Sequence, residues 1–214
     1  MIVAASAADE ALTRASAWEI VGGLSRPSKM PGWAYGLPAK ECKVGSALRQ
    51  IPNSVCSKCY AMKGHYVYGN VKTATYRRLE ALKHPRWAEA MIYLMYALDV
   101  RYFRWHDSGD IQSPSHLEMI AAVAQACPGV SFWLPTREKV FVYTYLKRYG
   151  AFPENLVVRL SAAMIDGAPP EGFPHTSTVV TSCASCPAPQ QNNECGTCRA
   201  CWNPEVQNVS YHKH

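Results

Sequence analysis

The chain has 214 residues, a formal net charge of +6 and nine cysteines. A hydrophobic fraction of 48% against 18% charged residues excludes a disordered tail protein, and the length suffices to bury a core without disulfides. No stretch approaches the ~18 uncharged apolar residues of a membrane span, and the chain falls short of the roughly 250 residues of a full (β/α)8 barrel.

In chain order, residues 1–69 read as an irregular segment. Met1 to Ala8 is apolar but short, lacks a preceding positive charge and runs straight into Asp9 and Glu10. That argues against an export signal, and for a chain working in the cytoplasm with reduced thiols. Gly, Pro, Ser and Lys are frequent between Gly22 and Gly45, and the segment 1–69 has room for a few short helical turns. From Asn70 the pattern becomes regular. Val71 to Lys83 is expected as a helix. Pro85 opens another, Trp87 to Leu98, burying Trp87, Met91, Leu94 and Met95.

A strand–helix alternation follows. It comprises strand 102–106, helix 114–126 capped by Ser113, strand 130–134, helix 138–149 stopped by Gly150, strand 156–160 and a last short strand 178–181. Such alternation means parallel strands with right-handed crossovers. The expected architecture is α/β, a partial or reduced (TIM-like) β/α barrel in a single domain, 1–214. Its parts are the irregular cysteine-containing segment 1–69, a β/α core 70–181 and a cysteine-rich segment 182–214. Both irregular segments are expected at the carboxyl ends of the strands.

The cysteines of a cytosolic chain of this size suggest metal ligands or redox chemistry. Cys195, Cys198 and Cys201 form C-x2-C-x2-C, and Cys186 is followed by Pro187. Bacterial ferredoxins hold three irons of a [4Fe–4S] cubane with that run and take the fourth ligand from a Cys that precedes Pro. These four are the first choice as metal ligands. Zinc is the competing metal, since Cys183/Cys186 with Cys195/Cys198 would make a short knuckle. Cys42, Cys56 and Cys59 form a second group, as a second site or as shared ligands. Cys127 follows a helical pattern and is expected in the core.

Ligands of parallel α/β folds bind at the carboxyl ends of strands. There the chain places His106, Asp107, Ser108 and Asp110, then Thr136, Arg137 and Glu138, then Arg159 and Ser161. The candidate pocket is His106, Asp107, Asp110, Arg137, Glu138 and Arg159. Arg159 interrupts an apolar strand, LVVRL, so Asp107, Asp110 or a ligand is its expected partner. Lys58, Lys63, Lys72, Arg77 and Arg78 interleave with Tyr60, Tyr66, Tyr68 and Tyr76. That is compatible with nucleic-acid binding or with a merely solvated face.

The motifs LPAKECKVGSALRQIPNSVCSKCYAMKGHYV, FRWHDSGDIQSPSHL, FWLPTRE, NLVVRLSA and CPAPQQNNECGTCRACWNPEVQNVSYHKH together resemble the bacteriophage "gene product eighty-eight" family, from about Ser25 to His214. The resemblance implies a viral protein acting in a bacterial cytoplasm. More distantly, CYA after a cysteine pair, and SGD after a strand, look like radical S-adenosylmethionine proteins. On that resemblance Ser108, Gly109 and Asp110 would take the place of the segment that holds the methionine amine. Two features depart from it: residues 43–55 separate Cys42 from Cys56 in place of a compact three-cysteine loop, and Asp110 stands where that family carries Glu. The expectation is an iron–sulfur protein capable of radical or redox chemistry. The alternative is a cluster- or zinc-stabilised binding protein for nucleic acid or a host protein, with no membrane partner.

Overall fold

A computed structural model describes residues 11–213, so the reading of Met1 to Ala8 lies outside the described residues. Six strands form one sheet: β1 (Trp33–Tyr35), β2 (Tyr102–Trp105), β3 (Ser131–Thr136), β4 (Leu156–Ile165), β5 (Thr176–Val180) and β6 (Asn208–His212). All pairings are parallel, and spatial order equals chain order. The helices are α1 (Arg14–Ile20), α2 (Lys43–Leu48), α3 (Gly69–Ala81), α4 (Trp87–Ala97), α5 (Pro114–Ala126) and α6 (Lys139–Tyr149). Ser113 caps α5 by accepting from His116 N at 3.1 Å, and Pro114 follows at the first helical position, where its missing N–H costs nothing.

Side chains alternate across a strand, so each face of the sheet has its own set. Phe103, Trp105, Phe132, Leu134, Leu156, Val158 and Leu160 face α4, α5 and α6. There they join Trp87, Met91, Leu94, Leu117 and Ile120 in the main core. Full burial of each large apolar side chain stabilises by about 1.5–3 kcal/mol. The opposite residues, Arg104, Trp133, Arg159 and Val209, lie on the face without helices. Trp133 and Val209 pack there with Trp202 and Cys201 of the C-terminal segment.

The alternation from residue 70 to 165 stands as the sequence indicates, and Cys127 is buried in the main core. The irregular ends needed correction. Segment 1–69 contains α1, α2 and a strand, β1, and the C-terminal segment supplies β6. The last expected strand starts two residues earlier, at Thr176. The two cysteine-rich segments also separate. Only the first lies over the carboxyl ends of the strands, whereas the second lies on the helix-free face, because Trp202 and Arg159 anchor it there.

Candidate functional site

The first thiol set is carried by short turns bound to the strand ends. Val44 N, just after Cys42, donates to Glu138 Oε1 at 2.9 Å. Tyr60, just after Cys59, donates its hydroxyl to the Asp107 carbonyl. Ile165 N donates to the Asn53 carbonyl at 3.0 Å, three residues before Cys56. Gly45 lets the turn pack close on Cys42: a side-chain carbon there would stand 2.9 Å from Cys42 Cβ, and 3.6 Å from both Cys42 Sγ and Cys56 Sγ. Burial pushes the Cys42 thiol up, and the charges of Asp110, Cys59 and Cys56 push it further. Burial also raises the Cys56 thiol, against the lowering pull of Arg137. Cys42, Cys56, Cys59, Asp110 and Arg137 therefore share one electrostatic neighbourhood.

Asp110 ties the strand ends together. It accepts from Thr136 Oγ1 at 2.6 Å, from its neighbour Ile111 N at 2.8 Å and from Arg137 N at 3.0 Å. Burial raises its carboxyl group, and those three hydrogen bonds oppose the rise. Gly109 has φ +80°, a left-handed conformation, and a Cβ there would stand 2.6 Å from Leu37 Cβ. Ser108 and Leu37 hold each other: Leu37 N donates to Ser108 O at 2.8 Å, and Ser108 Oγ donates to Leu37 O at 2.7 Å. The SGD segment is thus used first of all to seat the strand end.

His106 leaves this group. Its ring lies 5.4 Å from that of His116 on α5, on the helix side of the sheet. Both rings are buried, and burial is the main cause that lowers them, His116 to about 3 and His106 well below its ordinary value. Arg159 leaves it as well. The expected carboxylate partner is corrected to main-chain carbonyls: Arg159 donates to Cys201 O at 3.0 Å, Ala200 O at 2.9 Å, Asn203 O at 2.9 Å and Val206 O at 2.8 Å. An arginine in an apolar strand can be satisfied by a loop folded over it, and its own sequence surroundings cannot show that.

The second thiol set, Cys186, Cys195, Cys198 and Cys201, belongs to that loop. Burial raises the Cys195 thiol, and the charges of Cys186 and Cys198 add to the rise. Burial pushes Cys201 up to about 11, and its Sγ lies 3.2 Å from Tyr211 Oη. Cys183 is exposed. Arg104, which sequence reasoning passed over, stands between the two sets. Its Nη2 donates to Tyr60 Oη at 3.1 Å, its guanidinium lies 4.5 Å over the Trp133 ring, and its charge reaches Cys195 and Cys201. The signal for it was present, since strand alternation in YFRW puts Arg104 opposite the core-facing Phe103 and Trp105.

Among the described residues, no three His, Cys, Asp or Glu side chains are gathered closely enough to hold a single metal ion. Such an ion draws thiolates to about 2.3 Å from itself. Several buried donors lie near the thiols. Among the described residues, Arg49 Nε, Arg137 Nε, Arg104 Nε and Trp133 Nε1 are buried donors without acceptors, as are Trp105 Nε1 and Gln191 Nε2 and, away from the thiols, ring nitrogens of His106 and His116. Arg49 and Arg137 act on Cys56, and Arg104 acts on the second set. Buried donors of this kind call for an acceptor.

The sequence profile of the gene product 88 family matches residues 5–204. This chain belongs to that family. All nine cysteines of this gene product 88 protein lie within the matched span, and the family places the chain among bacteriophage proteins. No curated protein and no solved structure matches it. No helix among the described residues of this family member is long and apolar enough to cross a membrane.

Proposed function

We propose that the chain is a phage-encoded iron–sulfur protein of the host cytoplasm, its sheet curved as a reduced β/α barrel. Cys42, Cys56 and Cys59 hold one [4Fe–4S] cluster at the polar strand ends. Cys186, Cys195, Cys198 and Cys201 hold another against the helix-free face. The observation that carries this reading is that each thiol set is accompanied by buried side-chain nitrogens lacking an acceptor: Nε of Arg49 and Arg137 beside the first, Arg104 Nε and Trp133 Nε1 beside the second. Sulfur-rich anions satisfy both thiols and donors at once.

The three-thiol set leaves one iron without a protein ligand. When bound, that group would supply single electrons to a molecule at the open position, for which S-adenosylmethionine is the co-substrate that the strand-end resemblance implies. The chain's own residues have separate tasks. Glu138 fixes the start of α2, and with it Cys42, by accepting from Val44 N. Asp110 fixes the main chain at Arg137, whose cation offsets thiolate charge at Cys56. Thr136 orients Asp110 and accepts from Glu138 N at 3.0 Å.

Anaerobic purification followed by iron and sulfide analysis tests this reading. The expected product is brown and gives paramagnetic signals from two clusters on reduction. A colourless, zinc-loaded protein rejects it. Incubating the reduced protein with S-adenosylmethionine tests the radical step, which predicts 5′-deoxyadenosine. A second reading, nucleic-acid binding, has its own support: Lys58, Lys63 and Lys72 are exposed beside Tyr68 and Tyr76, which are 57% and 42% exposed. Retention on single-stranded DNA that falls steeply with salt would favour it.

A further inference from the structure

A cavity of about 300 Å³ opens between the exit of β1, the turn after Cys59 and α3. Its floor is apolar and buried, with Leu37 fully buried and Ala39 and Ala61 nearly so; Met62 and Val67 line it higher up. The floor is also rigid, because Leu37 and Ser108, both part of the lining, hold each other by the reciprocal hydrogen bonds described above.

The hydroxyls around the cavity are engaged within the fold. Thr75 donates to the Lys72 carbonyl at 2.9 Å, Tyr76 to Glu41 Oε1 at 3.1 Å, and Tyr66 to the Asp107 carbonyl at 3.4 Å. That leaves the ammonium groups of Lys40 and Lys72 as the charged groups of the lining, both on exposed residues. Among the described residues neither forms an ion pair. The nearest acid in sequence, Glu41, is the one that holds Tyr76.

A preformed apolar floor beneath two unpaired cations selects for one kind of ligand. We infer that this cavity binds a small amphipathic anion, a flat or aliphatic apolar body carrying one carboxylate or phosphate. The body lies on Leu37, Ala61 and Met62, and the anion lies between Lys40 and Lys72. No thiol lines the cavity, so binding does not require iron, and the inference goes beyond the cluster reading without resting on it. The floor reaches Ser108, two residues from Asp110, so an occupant would lie next to the polar strand ends.

The probe is 8-anilinonaphthalene-1-sulfonate, an apolar ring system with a single anionic group, titrated into the folded protein by fluorescence. Saturable binding is expected. The double variant Lys40→Gln/Lys72→Gln should weaken it about tenfold or more, and Met62→Trp, which fills the cavity, should abolish it. Lys147→Gln, on α6, should leave it unchanged. Circular dichroism and thermal unfolding establish that the variants fold. Phenyl phosphate and phenylacetate competition separates the two anion types, and displacement by either supports the assignment. Displacement by neutral benzyl alcohol as effective as that by both anions overturns the anion, and dye affinity unchanged in both cavity variants overturns the site. Iron analysis of the same preparations keeps this result apart from the fate of the cluster reading.

Discussion

The two thiol sets differ in how they are held. The first rides on turns joined to the strand ends through single contacts, such as Val44 to Glu138 and Tyr60 to Asp107. It has three thiols, a polar strand end beside it and an open cavity nearby. The second has four thiols in a segment clamped from beneath by one arginine and packed on Trp133 and Val209. The difference teaches that two cysteine groups of one chain can sit in unlike surroundings, one beside open strand ends and the other packed against the sheet. Surroundings separate the two where the ligand pattern does not.

Breaking the fastening should have the largest effect. Arg159→Met leaves buried carbonyls of residues 200–206 without their donor, and should lower stability by about 1–3 kcal/mol for each carbonyl left unsatisfied. Urea unfolding measures this, and limited proteolysis should release the C-terminal segment first. Equal proteolysis across the chain would break the contrast.

Next come the proposed ligands. Cys198→Ser should remove one cluster's iron and lower the melting temperature. Cys42→Ser should remove a similar share of iron while shifting the melting temperature much less. Iron analysis paired with calorimetry checks both, and equal thermal shifts would mean that the two sets do the same work.

A smaller effect is expected at the seat of the strand end. Gly109→Ala imposes left-handed strain, about 1–3 kcal/mol, together with contact against Leu37. Denaturant titration should record that loss, and cluster absorbance of the first set should change with no change in the second.

The mildest perturbation is pH. His106 and His116 are both depressed in the folded state, so the unfolded chain binds protons that the folded chain does not. Their stabilisation is present above the unfolded value near 6.5 and is lost as pH falls below it toward about 3, the His116 value. The slope should approach about 1.4 kcal/mol per pH unit for each histidine. His116→Phe should reduce that slope by one proton's share in urea titrations run between these limits. Both histidines lie on the helix side of the sheet, so the effect should not discriminate between the thiol sets.

The central alternation was legible because its apolar residues follow the helical and strand periods over long runs. β1 was not: WAY is three residues long amid Gly and Pro, and pairing with β2 makes it a strand. β6, NVSYH, is half polar and gains its place from β5. The cysteine groupings were visible as spacing. The partners of Arg159 were not, because a main-chain carbonyl carries no residue identity. Arg49 and Tyr211 joined the site through folding back of distant segments, which no local pattern records.

Sheet order that follows chain order has a consequence for synthesis. The strands can be laid down along one growing edge as the chain leaves the ribosome, each new strand meeting the one made just before it. The helix-free face is closed in a different way. Until residues 200–206 emerge, the Arg159 guanidinium lacks most of its main-chain acceptors and has only the Thr176 carbonyl of β5 in place. The last residues of the chain are thus the ones that close the helix-free face, whereas the helical side is complete in sequence by Ile165.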